Sequence, residues 1–162
     1  MPSPDAATWL APPSGPWTGP VPVPDIDSAL FWAGLRRHEL VILRCGECRM
    51  FVHPPQASCP RCLSLDLAPE AVSGRGRVYS FTVANREFAP GIKPPYVVAV
   101  VDLEEQDGLR LVTNLINVTV GDVHIGMPVR VLFFDLDGED VTLAYFTAIS
   151  GDTPEPPGDG RT

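Results

Sequence analysis

A chain of 162 residues and 17.5 kDa has room for one ordinary domain, or for a small metal module beside a modest barrel. Its 12 basic and 20 acidic side chains leave it acidic. No stretch is apolar for the length of a membrane-crossing helix, no polybasic run suits a membrane surface, and the first residues lack the basic-then-apolar pattern of a secretory signal. A soluble, reducing, cytoplasmic setting is therefore expected. The charge is uneven: residues 36–93 hold nine basic against five acidic side chains, while residues 94–162 hold three against twelve.

Residues 1–24 contain eight prolines together with Trp9 and Trp17. Such a composition builds an extended arm and no packed core. Two readings stand side by side: a disordered leader, or an arm whose tryptophans, Trp9 and Trp17, dock on a partner. Residues 25–40 read as a helix, with Asp25 or Asp27 at its positive end and Arg36, Arg37 and His38 at its negative end. Ile26, Leu30 and Ala33 fall on one face, which Phe31, Trp32 and Leu35 widen. That girth suits either a helix folded on its own domain or one shared with a partner through Phe31 and Trp32.

Residues 41–72 carry all four cysteines as two CxxC pairs, Cys45 with Cys48 and Cys59 with Cys62, after a short strand at Val41–Leu43. Each CxxC turn can aim two thiolates at one ion, so the pair of turns suits a tetrahedral Zn²⁺. Rubredoxin-type iron or an iron–sulfur cluster is the runner-up. A redox CxxC needs only one pair, and disulfides need an oxidising compartment. A closed four-thiolate shell leaves no open position for substrate and no cysteine free as a nucleophile, so the metal is expected to be structural. His53 reads as a loop residue or one that backs a ligand. LSLDLAPEAV closes the ribbon with another strand.

After a turn at Ser73–Gly76, residues 73–150 read as all-β. Strands are expected at Arg77–Ala84, Tyr96–Leu103, Leu109–Val118, Met127–Leu136 and Val141–Ile149, with hairpin signals at Asp107-Gly108 and Asp137-Gly138. Five strands without a long intervening helix fit a small closed barrel of the OB type. The fold class is thus mainly β: helix, four-cysteine rubredoxin-like ribbon, five-stranded OB barrel. Tyr79 and Phe81 are read as core, Asp122 and His124 as solvated loop residues, and residues 151–162 as a disordered tail. Ribbons and OB barrels often bind nucleic acid, but the acidity of the barrel half opposes that reading here. No GxSxG, Walker, dinucleotide or HExxH motif occurs.

The phrases FWAGLRRHEL, RCGECRMFVHPPQASCPRC, GRGRVYSFTV, PPYVVAVVDLEEQDGLRLVTNL and IGMPVRVLFFD, in that order, closely resemble the acyl-CoA-associated zinc-ribbon plus OB-fold family known as domain of unknown function 35. The resemblance covers roughly residues 25–149. It implies a non-catalytic partner subunit of a thiolase-superfamily enzyme, in a heteromer built on a partner dimer. In some members the partner is an aldolase that cleaves steroid-CoA side chains by retro-aldol chemistry. An accessory role to an acyl-CoA thiolase or acyltransferase is the alternative. The CoA thioester would be held where the subunits meet. On charge and loop placement alone, Arg75, Arg77, Arg86 and Lys93 are candidates for its phosphates and Phe88 for its adenine.

Overall fold

In a computed structural model, residues 8–88 and 91–149 are described. The tail at 151–162 and the first seven residues of the arm lie outside them. Trp9–Leu10 forms a short strand, β1, that pairs with Val118–Thr119 in a two-stranded sheet beside the barrel; Leu10 is buried in the core. Asn117 N–H donates to the Leu10 carbonyl at 2.6 Å and Val120 N–H to that of Thr8 at 2.9 Å. The arm therefore docks on its own chain.

Helix α1 spans Ala29–Arg36, shorter than the expected 25–40. Asp25 and Ser28 lock a turn ahead of it: Ser28 donates to Asp25 Oδ1 from its N–H at 2.8 Å and its hydroxyl at 2.5 Å, and Asp25 N–H donates back to Ser28 Oγ at 3.1 Å. These side-chain bonds compete with helix propagation. Beyond Arg36, His38 adopts φ 57°, and Arg37, His38 and Glu39 N–H donate to the Gly34 and Leu35 carbonyls, which ends the helix. The expected apolar face shifts as a result. Ile26, outside the helix, is 93 % exposed and Leu30 47 %, whereas Leu35 is buried and Phe31 and Trp32 pack on the core.

The ribbon is a three-stranded antiparallel sheet with β2 (Val41–Cys45) between β3 (Phe51–Val52) and β4 (Leu67–Ala71). The barrel follows: β5 (Arg75–Ala84), β6 (Tyr96–Leu103), β7 (Arg110–Leu115), β8 (Val118–Thr119, outside the barrel), a 3₁₀ turn at Val120–Asp122, β9 (Pro128–Asp135) and β10 (Thr142–Ala148). Its order is β10-β7-β6-β5-β9, closing on β10. Among the described residues, only β7 and β10 run parallel, meeting at Leu115 and Phe146. Closure removes the unpaired edges of an open sheet. Gly108 and Gly138, at φ 75° and 81°, make the two expected hairpin turns. Arg75 and Gly76, read as turn, already belong to β5, paired with Arg130 and Val129.

A bulge between Val78 and Ser80 resets the alternation of β5. Val78 points in before it, Phe81 and Val83 pack on the core after it, and Tyr79 is left outside, 47 % exposed, with the Arg110 guanidinium 3.5 Å from its ring centre. Tyr79 is therefore no core residue. One core, centred on Phe146, Val97, Val101, Leu115 and Val129, continues into Leu35, Leu40, Ile42 and Phe51, so helix and ribbon share apolar contacts with the barrel. Polar groups fix the joint. Gln106, in the β6–β7 turn, accepts from Phe51 N–H at 2.8 Å and donates to the Phe51 carbonyl at 3.2 Å. Glu105 accepts from Ser73 N–H at 2.6 Å.

Candidate metal centre and adjoining clefts

The two CxxC turns are built alike. In the first, Cys45 N–H donates to the Met50 carbonyl at 2.9 Å and Arg49 N–H to that of Cys45 at 3.0 Å; in the second, Cys59 N–H donates to Ser64 and Leu63 N–H to Cys59, both at 2.9 Å. Arg49 and Leu63 each take positive φ, 61° and 62°, to turn the chain back. Gly46 N–H, donating to the Asp66 carbonyl at 2.9 Å, ties one turn to the strand leaving the other.

This places the four sulfurs within 4.8 Å of one another, with Cys45–Cys62 at 3.6 Å and Cys48–Cys59 at 3.5 Å. Four thiolates on one ion at about 2.3 Å require sulfur spacings near 3.8 Å, so the set fits a tetrahedral Zn²⁺. The N–H of Cys48 lowers the Cys45 thiol below its usual range, and that of Cys62 brings Cys59 down to about 6. Cys62 behaves oppositely: the Ser64 N–H favours its thiolate, but burial and the other three sulfurs push it up to about 12. Four sulfurs at this distance can all be thiolates only with a cation among them. A divalent ion would supply that charge, held by Cys45, Cys48, Cys59 and Cys62. Cys45 and Cys59 are fully buried, Cys48 is half-buried and Cys62 is exposed, so the centre is rooted in the ribbon and reaches the surface at Cys62.

The residues nominated for CoA do not form one cluster. Arg75 pairs with Glu104 at 3.5 Å and Arg77 donates to the Gly126 carbonyl at 3.1 Å, both on the first half of β5. Arg86 and Phe88, 6.0 Å apart from guanidinium to ring centre, lie beyond its other end. An extended strand advances about 3.3 Å per residue, so the two groups sit at opposite ends of the barrel wall. Lys93 borders a third place, a cleft of about 340 Å³ beneath the arm that Trp9 and Trp17 also line.

A second cleft, of about 650 Å³, adjoins it between α1 and strands β7 and β10. Phe31 and Trp32 line it, with ring centres 5.5 Å apart. His53 lines it as well, packed 5.5 Å from Phe31, with a buried Nδ1 that has no hydrogen-bond partner among the described residues. Burial holds its imidazole down to about 4, so it is neutral at ordinary pH. His53 therefore belongs to this groove. His124, exposed, has Nδ1 2.8 Å from the Asp122 carbonyl, as a loop pair would. Tyr145 and Asn114, which border both clefts, carry no signal in the sequence: each is an outward residue of a barrel strand, covered only because the arm and helix fold over it. Among the described residues, no helix is long and apolar enough to cross a membrane.

Comparison with known proteins agrees with this layout. Residues 32–68 match the family model described as ChsH2, rubredoxin-like zinc ribbon domain, and residues 69–134 that described as ChsH2, C-terminal OB-fold domain. The chain is 40 % identical over 127 residues to a probable enoyl-CoA hydratase alpha subunit of Thermomonospora curvata, covering 78 % of this chain and 39 % of the relative. It is 38 % identical over 109 residues to the 3-oxo-4,17-pregnadiene-20-carboxyl-CoA hydratase alpha subunit of Mycobacterium tuberculosis, covering 67 % and 34 %. The chain thus spans little more than a third of these two relatives. A DUF35 domain-containing scaffold protein of Methanocaldococcus jannaschii is 32 % identical, with 67 % of this chain and 79 % of the relative covered. Among solved structures, a chain described as Ltp2-ChsH2(DUF35) aldolase superposes with a TM-score of 0.72 at 38 % identity, covering 79 % of this chain and 98 % of that one. With ribbon, barrel and the spacing of both cysteine pairs in place, this chain belongs to the DUF35 family of zinc-ribbon plus OB-fold proteins.

Proposed function

We propose that this chain is the non-catalytic subunit of a thiolase-like aldolase complex. The complex would cleave the side chain of an acyl-CoA, of steroid type, by a retro-aldol reaction. The observation that carries the reading is the likeness to the aldolase chain, which this chain covers almost from end to end. The commitment of all four cysteines to one centre supports it. Zn²⁺, held by Cys45, Cys48, Cys59 and Cys62, is structural: it folds the ribbon and takes no part in the reaction. Acid and base groups for carbon–carbon cleavage come from the partner, a thiolase-superfamily dimer, and the thioester lies where the subunits meet. Arg86 with Phe88, or Arg75 with Arg77, would hold the nucleotide end of CoA. The steroid assignment takes its support from the pregnadiene-carboxyl-CoA named for one relative. Cysteines kept reduced as metal ligands suit a reducing, cytoplasmic setting.

The test is co-expression with a thiolase-like protein, purification through a tag on this chain, and assay of side-chain cleavage of a steroid acyl-CoA. A stable heteromer that turns over only when both chains are present is the expected result. Turnover by this chain alone, or a partner equally active without it, would overturn the reading. Two relatives named as hydratase alpha subunits favour a second reading, an accessory part of an enoyl-CoA hydratase. Hydration without cleavage in the same assay would select it.

A further inference from the structure

The arm lies outside the segments matched by the two family models, yet it roofs a cleft. It is pinned twice. Trp9 and Leu10 pair with Thr119 and Val118, and farther along the arm passes close to Gly91, where a Cβ would stand 2.4 Å from Thr18 Oγ1 and 2.7 Å from Gly19 N. Gly91 also takes φ 83°, so only glycine serves there without strain. Between the pins the chain spans the cleft. Trp17 is seated by its own turn: its Nε1–H donates to the Pro20 carbonyl at 3.2 Å, and a side chain at Gly19 would collide with its ring at 2.6 Å. Trp17 and Ile92 line both clefts and form the wall the two share.

The cleft's sides are rigid rings: Trp9 and Trp17 above, Pro95 and Tyr96 beside, Tyr145 below. Flat side chains with few rotamers favour a flat, rigid ligand over a flexible chain. Its volume of about 340 Å³ lies at the lower end for small-molecule sites. Polar groups are few. Tyr145 is 8 % exposed, and burial raises its phenol, which stays a hydrogen-bond donor across the ordinary pH range. Exposed Lys93 sets one positive charge at the rim. We propose that this cleft binds a flat polycyclic body bearing a ring oxygen, with an anionic or thioester side chain leaving past Lys93, and that Trp17 is the wall that closes it. The choice of ligand rests on the acyl-CoA reading above; the location of the site does not.

The test is equilibrium dialysis of the full zinc-bound chain against a 3-oxo steroid carboxylate free of CoA, the same carboxylate as its CoA thioester, and decanoate. Saturable binding of one steroid carboxylate per chain is expected, at least tenfold tighter than decanoate. Trp17→Ala should weaken it at least tenfold and Trp17→Phe much less, and Tyr145→Phe should weaken it roughly fivefold, as one lost hydrogen bond would. Binding of the thioester but not the free acid would place the affinity in the CoA portion and overturn the proposal. So would the absence of saturable steroid binding, equal affinity for decanoate, or a Trp17→Ala chain that binds like the wild type. Co-purification with a partner is read separately, so either idea can fail while the other stands.

Discussion

The ribbon and the barrel solve the same stability problem differently. The barrel buries a continuous set of side chains around Phe146, Val97, Val101, Leu115 and Val129. The ribbon has short strands, of which β3 is two residues, and its interior is largely Cys45, Cys59, Val52 and the docking residues Ile42 and Phe51. A sheet that small buries too little apolar surface to offset the entropy of ordering it, so its centre has to be an ion. One half of the molecule is held by many weak contacts; the other would be held by the four metal–sulfur bonds of a bound ion.

Metal removal tests that contrast most severely. Structural zinc sites contribute about 10–16 kcal/mol of binding free energy, so a chelator, or Cys59→Ser, should unfold residues 41–72 while β5 to β10 stay folded. Amide exchange by mass spectrometry would show it, as full protection loss in the ribbon against retained protection in the barrel. Loss of protection in both together would mean that the two halves are one unit. Phe146→Ala, in the fully buried heart of the barrel, should cost about 3–5 kcal/mol, read as a lower denaturation midpoint. The zinc content of the chain that remains folded should be unchanged.

His53 offers a pH test at the seam. Its imidazole titrates near 6.5 when unfolded and about 4 when folded. Between those values the unfolded chain binds more protons, so His53's contribution is complete above about pH 6.5. It declines as the pH falls toward 4, by up to about 3 kcal/mol. His53→Gln should flatten that part of the stability curve in urea titrations on zinc-loaded protein; an unchanged slope would mean the ring is solvated. Gln106→Ala should have the smallest effect, about 1–3 kcal/mol, by leaving the Phe51 N–H and carbonyl unpaired. Its signature is decoupling: the ribbon should open to exchange more often while the barrel's midpoint barely moves.

What the sequence made legible was local. Two CxxC turns, two Asp-Gly hairpins and the β-branched apolar run along Tyr96–Leu103 each act within a few residues, and the ribbon and five-stranded barrel follow from them. Helix limits were less legible, because Asp25 and Ser28 satisfy each other and withhold a turn that composition alone would grant. The bulge at Val78–Ser80 was invisible for a similar reason: it depends on how β5 meets β6. Least legible were the clefts. Tyr145, Asn114 and His53 become lining residues only when distant segments fold over them, and a count of positive charges could not reveal that β5 carries Arg75 and Arg86 to opposite ends.

The pairing of Trp9 and Leu10 with Thr119 and Val118 also sets an order of assembly. A ribosome releases the arm first and its mate long afterward, so during synthesis the aromatic roof waits without a floor. The ribbon, whose ligands emerge close together, can capture its ion well before that. Maturation then runs outward from the ribbon, and the arm finds its place after segments that are made later than it.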